Sequence, residues 1–215
     1  MSYVFPLAGL AIANLLGIVS PGPAFLMVSR AAAGRTRASA LGLAAGVAVA
    51  ATIWAAAACF GVVAIMSRAV LLYRALQLAG GIFLIWLGIA AWRDAGRPDG
   101  GATATAAQHF AFARTDGFAR AIPVGAMLSL GNPKIVIFFS SIFVTLLPPH
   151  APLWLRLTAV AIVGLQETSW YIAVAFIFSR PRVQDAYRRV SRWIERLMGA
   201  ILLAFGARIL AQLRF

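Results

Sequence analysis

Long apolar runs, almost free of charged residues, dominate this chain of 215 residues. Five of them hold at most one charged residue and are long enough for a membrane-spanning helix, which takes about 18 to 20 residues. These runs are residues 1–29, 38–67, 75–92, 121–149 and 157–179. A sixth span is predicted over residues 193–213, where Glu195, Arg196 and Arg208 lie near the ends. Because 62% of the residues are hydrophobic, against about half in soluble domains, the chain is predicted to be an all-α membrane protein with six transmembrane helices.

The distribution of positive charge between the spans predicts how the protein is oriented across the membrane. A net charge of +13 would suggest nucleic-acid binding in a soluble protein, but here the arginines lie in alternate loops. The loops after the first, third and fifth spans hold most of them: Arg30, Arg35, Arg37, Arg93, Arg97, Arg114, Arg120, Arg180, Arg182, Arg188, Arg189 and Arg192. Since cytoplasmic loops carry the excess of Lys and Arg, both termini are predicted to lie outside. Lipid is the expected partner of the outer surface, and no nucleic-acid partner is expected. The first nineteen residues contain no Lys or Arg, so the basic n-region of a signal peptide is missing and we expect the first span to be retained.

Two similar stretches indicate an internal repeat. Residues 81–88 and 199–206 are both leucine-rich, and each begins and ends with glycine. A three-helix unit crosses the bilayer an odd number of times, so a second copy enters from the other side and forms an inverted pair. The predicted division is a first three-helix repeat at 1–94, a cytoplasmic connector at 95–118 and a second repeat at 119–215, together one transport domain. Chance resemblance between leucine-rich helices is the alternative.

A stripe of small residues follows one face of the second span. Gly42 and Gly46 are flanked by Ala38 and Ala50 at helical spacing. Small residues let two membrane helices approach closely. We expect this contact to lie within the protomer rather than between two copies. The sequence does not decide whether the protein forms a homo-oligomer.

Each predicted half also contains an interrupted apolar segment. The interruptions are Ser20, Pro21, Gly22 and Pro23 in the first half, and Gly131, Asn132, Pro133 and Lys134 in the second. Proline and glycine break the helical hydrogen-bond ladder, and lipid cannot satisfy the backbone groups that are freed. Broken helices at matching places in helices one and four therefore predict a transporter's binding site between the repeats. The simpler alternative is that the prolines bend packed helices and touch no ligand.

Lys134 and Glu167 are the ionisable residues deep inside the predicted spans. A charge at the bilayer centre costs roughly 2.5 to 3.5 kcal/mol on insertion scales, so both side chains should face the protein interior. Glu167 could receive a substrate ammonium group or a proton, with Trp170 and Tyr171 on nearby helix faces. Lys134 could meet a substrate carboxylate, or it could bind open carbonyls at the break. Ser20 and the amides after Pro23 could form a matching anion site. A structural ion pair between Lys134 and Glu167 remains an equal alternative.

The sequence carries no pattern of a soluble enzyme or a metal site. His109 and His150 lie in connecting segments, without His, Cys or carboxylate partners at metal-binding spacing. Cys59 is the sole cysteine, and the glycine-rich stretches lack a phosphate-loop pattern. We therefore expect no catalytic residues, no metal and no cofactor.

Taken together, the motifs resemble a known family. They are Ser20–Pro23 with 25–29, 81–88 with Trp92 and Arg93, Asn132–Lys134 with Phe138 and Phe139, Glu167 and Thr168 with Trp170, and the tail 187–210. In this order the chain resembles the LysE/RhtB superfamily of amino-acid exporters, and within it the threonine and homoserine efflux proteins. The resemblance implies a multi-pass exporter of the bacterial inner membrane that moves amino acids outward in exchange for protons. The family's broken-helix motifs correspond here to Pro21, Gly22, Pro23, Asn132, Pro133 and Lys134.

One position departs from the pattern of that family. The resemblance to threonine exporters implies an acidic residue directly after the first break, where this chain has Ala24. The predicted function is therefore proton-coupled efflux of neutral amino acids, such as threonine, homoserine or analogues, by alternating access. In this hypothesis Glu167 carries the proton, while Lys134 and the two breaks hold the zwitterion. The alternatives are export of another small metabolite or toxic analogue, and a membrane scaffold that transports nothing.

Overall fold

In its described part, the chain folds entirely into helices. The computed structural model describes residues 3–19, 22–34, 36–68, 70–95, 116–148 and 150–212. The helices are α1 Val4–Val19, α2 Pro23–Gly34, α3 Arg37–Arg68, α4 Val70–Asp94, α5 Phe118–Leu130, α6 Pro133–Leu146, α7 Leu153–Ile177 and α8 Pro181–Gln212. Most of the predicted connector, residues 96–115, lies outside the described residues. The prediction of an all-α chain is confirmed for the described residues.

Two of these helices are long and apolar enough to cross a membrane by themselves. They are α3 over Arg37–Gly61 and α7 over Leu153–Ile177. Two bent pairs each count as a further span if the pair is one broken span rather than a re-entrant loop: α1 with α2, at 54°, and α5 with α6, at 62°. The described residues thus provide up to four of the six predicted spans. The third predicted span corresponds to α4, which contains a shorter apolar helix at Leu78–Arg93. The third and sixth spans stay predictions.

Large apolar side chains cover much of the outer surface. The most exposed among them are Val4, Phe5, Met127, Leu165 and Trp193, each with more than 60% of its surface accessible. In water this exposure would be unfavourable, whereas lipid tails are as apolar as these side chains. The surface is therefore that of a multi-pass membrane protein.

The interior contains two apolar clusters stacked along α3 and α7. We call the first the Phe143 cluster; its other large members are Leu10, Leu84, Phe138, Phe139, Ile142, Leu147, Leu155, Val163 and Leu202. The second, the Phe25 cluster, contains Met27, Val28, Leu43, Val47, Tyr171, Val174 and Phe178. Along α7, Leu155 and Val163 belong to the first cluster, while Tyr171 and Phe178 belong to the second. A boundary between the clusters thus lies near the middle of this helix.

Glycines bring α3 and α5 into backbone contact. A Cβ atom on Gly42 would overlap the carbonyl oxygen of Phe118, and one on Gly46 would overlap that of Ile122. From the other side, a Cβ atom on Gly125 would overlap the Leu43 carbonyl oxygen. Only hydrogen fits at these three positions, so the predicted close packing within the protomer is confirmed.

The two glycine-bounded stretches pack against each other. A Cβ atom on Gly88 would lie 2.7 Å from the carbonyl oxygen of Gly199. Seven residues away on each helix, a Cβ atom on Gly206 would lie 2.7 Å from the carbonyl oxygen of Gly81. Because the later residue of one stretch meets the earlier residue of the other, α4 and α8 run antiparallel along this contact.

Candidate functional site

The first helix break lies between α1 and α2. Proline has no amide hydrogen, so Pro21 and Pro23 cannot donate to carbonyls one turn earlier and the helix cannot continue in register. Helix α1 ends at Val19, and α2 begins at Pro23 with the Leu26 amide donating to the Gly22 carbonyl at 2.9 Å. Of the predicted residues here, Ser20 and Pro21 lie outside the described residues. Gly22 and Pro23 lie inside them.

The second break lies between α5 and α6. Gly131 closes α5 by donating its amide to the Met127 carbonyl at 2.9 Å. The Asn132 carbonyl then accepts a hydrogen bond from the Ile135 amide at 3.1 Å, which starts α6. Asn132 is half-buried at this junction. Lys134 lies in the first turn of α6, and the side chains of Pro133 and Lys134 lie outside the described part of the structure.

A cavity of about 90 Å³ joins the two breaks. On this measure a water molecule takes about 10 to 15 Å³, so there is room for a small solute. Its walls are formed by Gly17, Ile18, Gly22, Pro23, Ala24, Val47, Ala51, Asn132, Ile135, Phe138, Phe139, Glu167, Tyr171 and Leu202. Phe138, Phe139 and Leu202 belong to the Phe143 cluster, whereas Ala24, Val47 and Tyr171 belong to the Phe25 cluster. The cavity therefore lies at the boundary between the two clusters.

Helix α7 contributes the acidic group of this cavity. Glu167 is 5% exposed, and Tyr171 lies one helical turn further along and is 6% exposed. Among the described residues Glu195 is equally buried, but it is not part of the cavity wall. Glu167 is thus the described carboxylate in position to meet a cationic group in the cavity.

Trp170, which helical spacing had placed near the site, does not line the cavity. Its ring packs against the Phe25 cluster, and its buried indole Nε1 has no hydrogen-bond partner among the described atoms. Residues 167 and 171 lie about 40° apart around a helix, whereas residue 170 lies on the other side of 167. Glu167 and Tyr171 therefore both line the cavity, and Trp170 does not.

The apolar part of the cavity wall was not foreseen from the sequence. Phe138 is the clearest case, because its ring lies directly on the backbone of α1: a Cβ atom on Gly17 would come within 2.8 Å of the Phe138 Cζ atom. The second break is thereby in contact with the helix that leads into the first. A glycine just ahead of the first break and an aromatic pair just after the second were the available sequence signals.

A buried hydrogen-bond pair next to the site was also missed. The Asn14 side-chain amide of α1 donates to Gln166 Oε1 of α7 at 3.0 Å, and Gln166 Nε2 donates to the Ala11 carbonyl at 3.1 Å. Asn14 is 1% exposed, and its Oδ1 atom has no partner among the described atoms. Asn14 and Gln166 are uncharged polar residues within apolar runs. A search of these runs for charged residues alone therefore overlooks them. Their bonds hold α1 against α7 directly beside Glu167.

Replacing Gln166 with leucine is expected to lower the free energy of unfolding by about 1 to 2 kcal/mol, because the buried Asn14 amide loses its partner. Thermal or denaturant unfolding in detergent measures this change. The double variant Asn14→Leu/Gln166→Leu removes both partners and should be less destabilised than the sum of the two single variants. Strictly additive losses would contradict the proposed pairing.

Sequence comparison shows that the chain is similar to known proteins over nearly its whole length. A family model described as "LysE type translocator" matches residues 15–213. The threonine efflux protein of Escherichia coli K12 is 27% identical over 200 residues, covering 93% of this chain and 95% of that protein. The homoserine/homoserine lactone efflux protein of Salmonella typhimurium is 29% identical over 149 residues, covering 68% and 64%. The uncharacterized membrane protein YahN of Escherichia coli K12 is 30% identical and covers 87% and 81%. No solved structure matches the chain significantly.

Proposed function

Because the chain belongs to the LysE type translocator family, we propose that it exports neutral amino acids or close analogues through the cavity between its two helix breaks. The observation that carries this proposal is the convergence of Gly22, Pro23, Asn132 and Glu167 on one cavity. Sequence-distant polar groups and a buried carboxylate meet there inside an apolar protein. Two relatives are named for threonine efflux and for homoserine and homoserine lactone efflux, which supports a small amino compound as the solute.

The groups at the cavity suit the two ends of a zwitterion. The Glu167 carboxylate receives the ammonium group in a charge-assisted hydrogen bond. Helix α2 begins at the cavity, and the amides and positive dipole end of a helix N-terminus favour an anion such as the substrate carboxylate. Lys134, in the first turn of α6, is proposed to assist on that side. Apolar wall residues such as Ile18, Val47 and Ile135 then surround an uncharged substrate side chain.

Transport is proposed to proceed by alternating access between two inverted three-helix repeats. In such a pair, a contact between the halves has a counterpart with the halves exchanged. The packing of α2 on α7 pairs with that of α6 on α3, and the packing of α1 on α7 pairs with that of α5 on α3. The reciprocal contacts of Gly81 with Gly206 and of Gly88 with Gly199 support the same relation. The bends of 54° and 62° at the two breaks are corresponding features of the proposed repeats.

Glu167 is also proposed to couple export to protons. A carboxyl on the cavity wall can bind a substrate ammonium group in one state and a proton in the other. One charge moving through 100 mV supplies about 2.3 kcal/mol, which supports a concentration ratio of more than about tenfold. The bacterial inner membrane, where such a gradient exists, is the proposed location.

Ala24 favours a second candidate, export of a different small metabolite or a toxic analogue. Ala24 lies on the cavity wall and is 8% exposed. Its methyl group adds no charge where the resemblance to threonine exporters implies an acid. The site therefore has room and an apolar surface at a position that would otherwise contact the substrate's amino group.

The experiment that tests export uses everted vesicles from a strain lacking its own exporters. With an imposed proton gradient, vesicles containing the protein should accumulate at least one neutral amino acid more than about tenfold above vesicles without it. Lys134→Ala should reduce this uptake. If the protein is a membrane scaffold that transports nothing, the substitution should cause no loss of uptake. No uptake of any amino acid would contradict the proposal, and uptake of another solute alone would favour the second candidate.

A further inference from the structure

The first break lacks a donor that a continuous helix would have. In an α-helix the carbonyl of Val19 accepts from the amide of residue 23, which here is proline and has no amide hydrogen. In the structure the Tyr187 hydroxyl, from helix α8, donates to the Val19 carbonyl at 2.8 Å across 168 residues of chain. A side chain of the last helix thus supplies the hydrogen bond that Pro23 cannot.

The ring of Tyr187 takes part in an aromatic contact among three helices. It lies 4.7 Å from the Phe25 ring of α2 and 5.3 Å from the Phe178 ring at the end of α7, measured between centroids. Phe25 and Phe178 are themselves 5.1 Å apart in an edge-to-face arrangement. Phe25 is 2% exposed and Phe178 7%. We call these three side chains the Tyr187 triad.

Along α2 and α7, the Tyr187 triad lies beyond the cavity wall, toward the face that the sequence predicts to carry most arginines; we call it the arginine-rich face. On α2, Phe25 directly follows the wall residue Ala24. On α7, Phe178 lies seven residues beyond the wall residue Tyr171, about 10 Å along the helix axis. Arg180 and Arg182 follow within four residues of Phe178. A solute passing between the cavity and that face along α2 and α7 meets these rings.

We infer that Tyr187 is a positioning residue that binds the first break to α8 and, with Phe25 and Phe178, closes the cavity toward the arginine-rich face. Tyr187 itself does not line the cavity and is not placed to hold a solute that is bound there. Access from that face requires the Tyr187–Val19 hydrogen bond to break and the rings to separate. Since the inference concerns access rather than solute, it stands or falls independently of which compound is exported.

A cysteine on the cavity wall can report this access. The native cysteine is removed by Cys59→Ala, and Ala51→Cys places a thiol on the wall contributed by α3. Full-length protein in membrane vesicles of each orientation is treated with a membrane-impermeant maleimide, and the labelling rate is measured from each face. The variants added to this background are Tyr187→Phe, which keeps the ring and loses the hydroxyl, and Phe25→Leu, which keeps the hydrogen bond and loses a ring.

Tyr187→Phe is expected to raise labelling from the arginine-rich face about five- to tenfold, the population shift that corresponds to one lost hydrogen bond. Labelling from the opposite face should not rise. Phe25→Leu should change labelling in the same direction, and it carries the test by itself if Tyr187→Phe does not insert. The control is Tyr3→Phe, which removes the hydroxyl of a tyrosine at the start of α1 whose ring contacts Trp154; it should leave both rates unchanged. Unchanged labelling in both triad variants, or an equal rise from both faces, overturns the inference.

Discussion

Replacing Glu167 with glutamine is expected to lower export at least tenfold and to remove its dependence on a proton gradient. The substitution keeps the shape of the side chain and removes the charge. A hydrogen bond to a charged group contributes about 1.5 to 3 kcal/mol, which corresponds to about a 10- to 100-fold loss of substrate binding. Glutamine cannot carry a proton in this exchange, so coupling should be lost as well as affinity.

Uptake into everted vesicles, with the gradient imposed and then collapsed, measures both effects. Wild-type uptake should fall when the gradient is collapsed, whereas the residual uptake of Glu167→Gln should be the same in both conditions. The half-saturation concentration separates weaker binding from slower movement.

Glu195→Gln is the matched control for this prediction. Glu195, like Glu167, is 5% exposed, but it lies on α8 and is not part of the cavity wall. This variant should retain most of the export and its response to the gradient. If both variants lose export equally, the effect belongs to buried carboxylates in general and the coupling role of Glu167 is wrong. Gradient-dependent uptake by Glu167→Gln at the wild-type rate would likewise exclude that role.

The second large effect is expected from Gly46→Ala, which should destabilise the protein by about 3 kcal/mol or more, at the upper end of the range for overpacking. The new methyl group would overlap the Ile122 carbonyl oxygen and lie 2.7 Å from the Ala126 amide nitrogen. Backbone atoms cannot turn aside as a flexible side chain can, so α3 and α5 must separate. Their separation would also loosen the contacts of Gly42 and Gly125 along the same line.

Unfolding in detergent, together with the yield of inserted protein, measures this loss of stability. Gly61→Ala is the control on the same helix, since no described heavy atom outside the adjoining residues and the helix's own backbone lies within 4 Å of the position its Cβ atom would occupy. Alanine has the higher helix propensity, by about 1 kcal/mol, so Gly61→Ala should be neutral or slightly stabilising. An equal loss in both variants would show that glycine matters here for some reason other than the α3–α5 contact.

Much of the local structure follows from the order of residues alone. The two interruptions were predictable because proline lacks an amide hydrogen, wherever it lies in the fold. The spans at α3 and α7 were predictable because long apolar runs with at most one charged residue are unstable when they are exposed to water. The stripe at Gly42 and Gly46 predicted a close helix contact, since only small residues permit one.

The partners across the fold could not be read in the same way. Nothing near Gly46 in the sequence indicates that α5 would be the helix it meets. The pairs Asn14–Gln166 and Val19–Tyr187 join residues 152 and 168 positions apart, and no local pattern links them. Trp170 shows that helical spacing alone does not assign a residue to the site. Its spacing from Glu167 is compatible with the cavity wall and also with the Phe25 cluster.

The sequence by itself determined where the helices break, which runs are apolar enough for the membrane and that a carboxyl, Glu167, lies within one of these runs. These properties reside in single residues or in short windows, through missing amide hydrogens, hydrophobicity and charge. Only the tertiary structure decided that both breaks and Glu167 meet at one cavity, and that Tyr187 supplies the hydrogen bond missing at the first break. Such contacts depend on how whole helices pack, and that packing is a sum of many weak interactions that no short window contains.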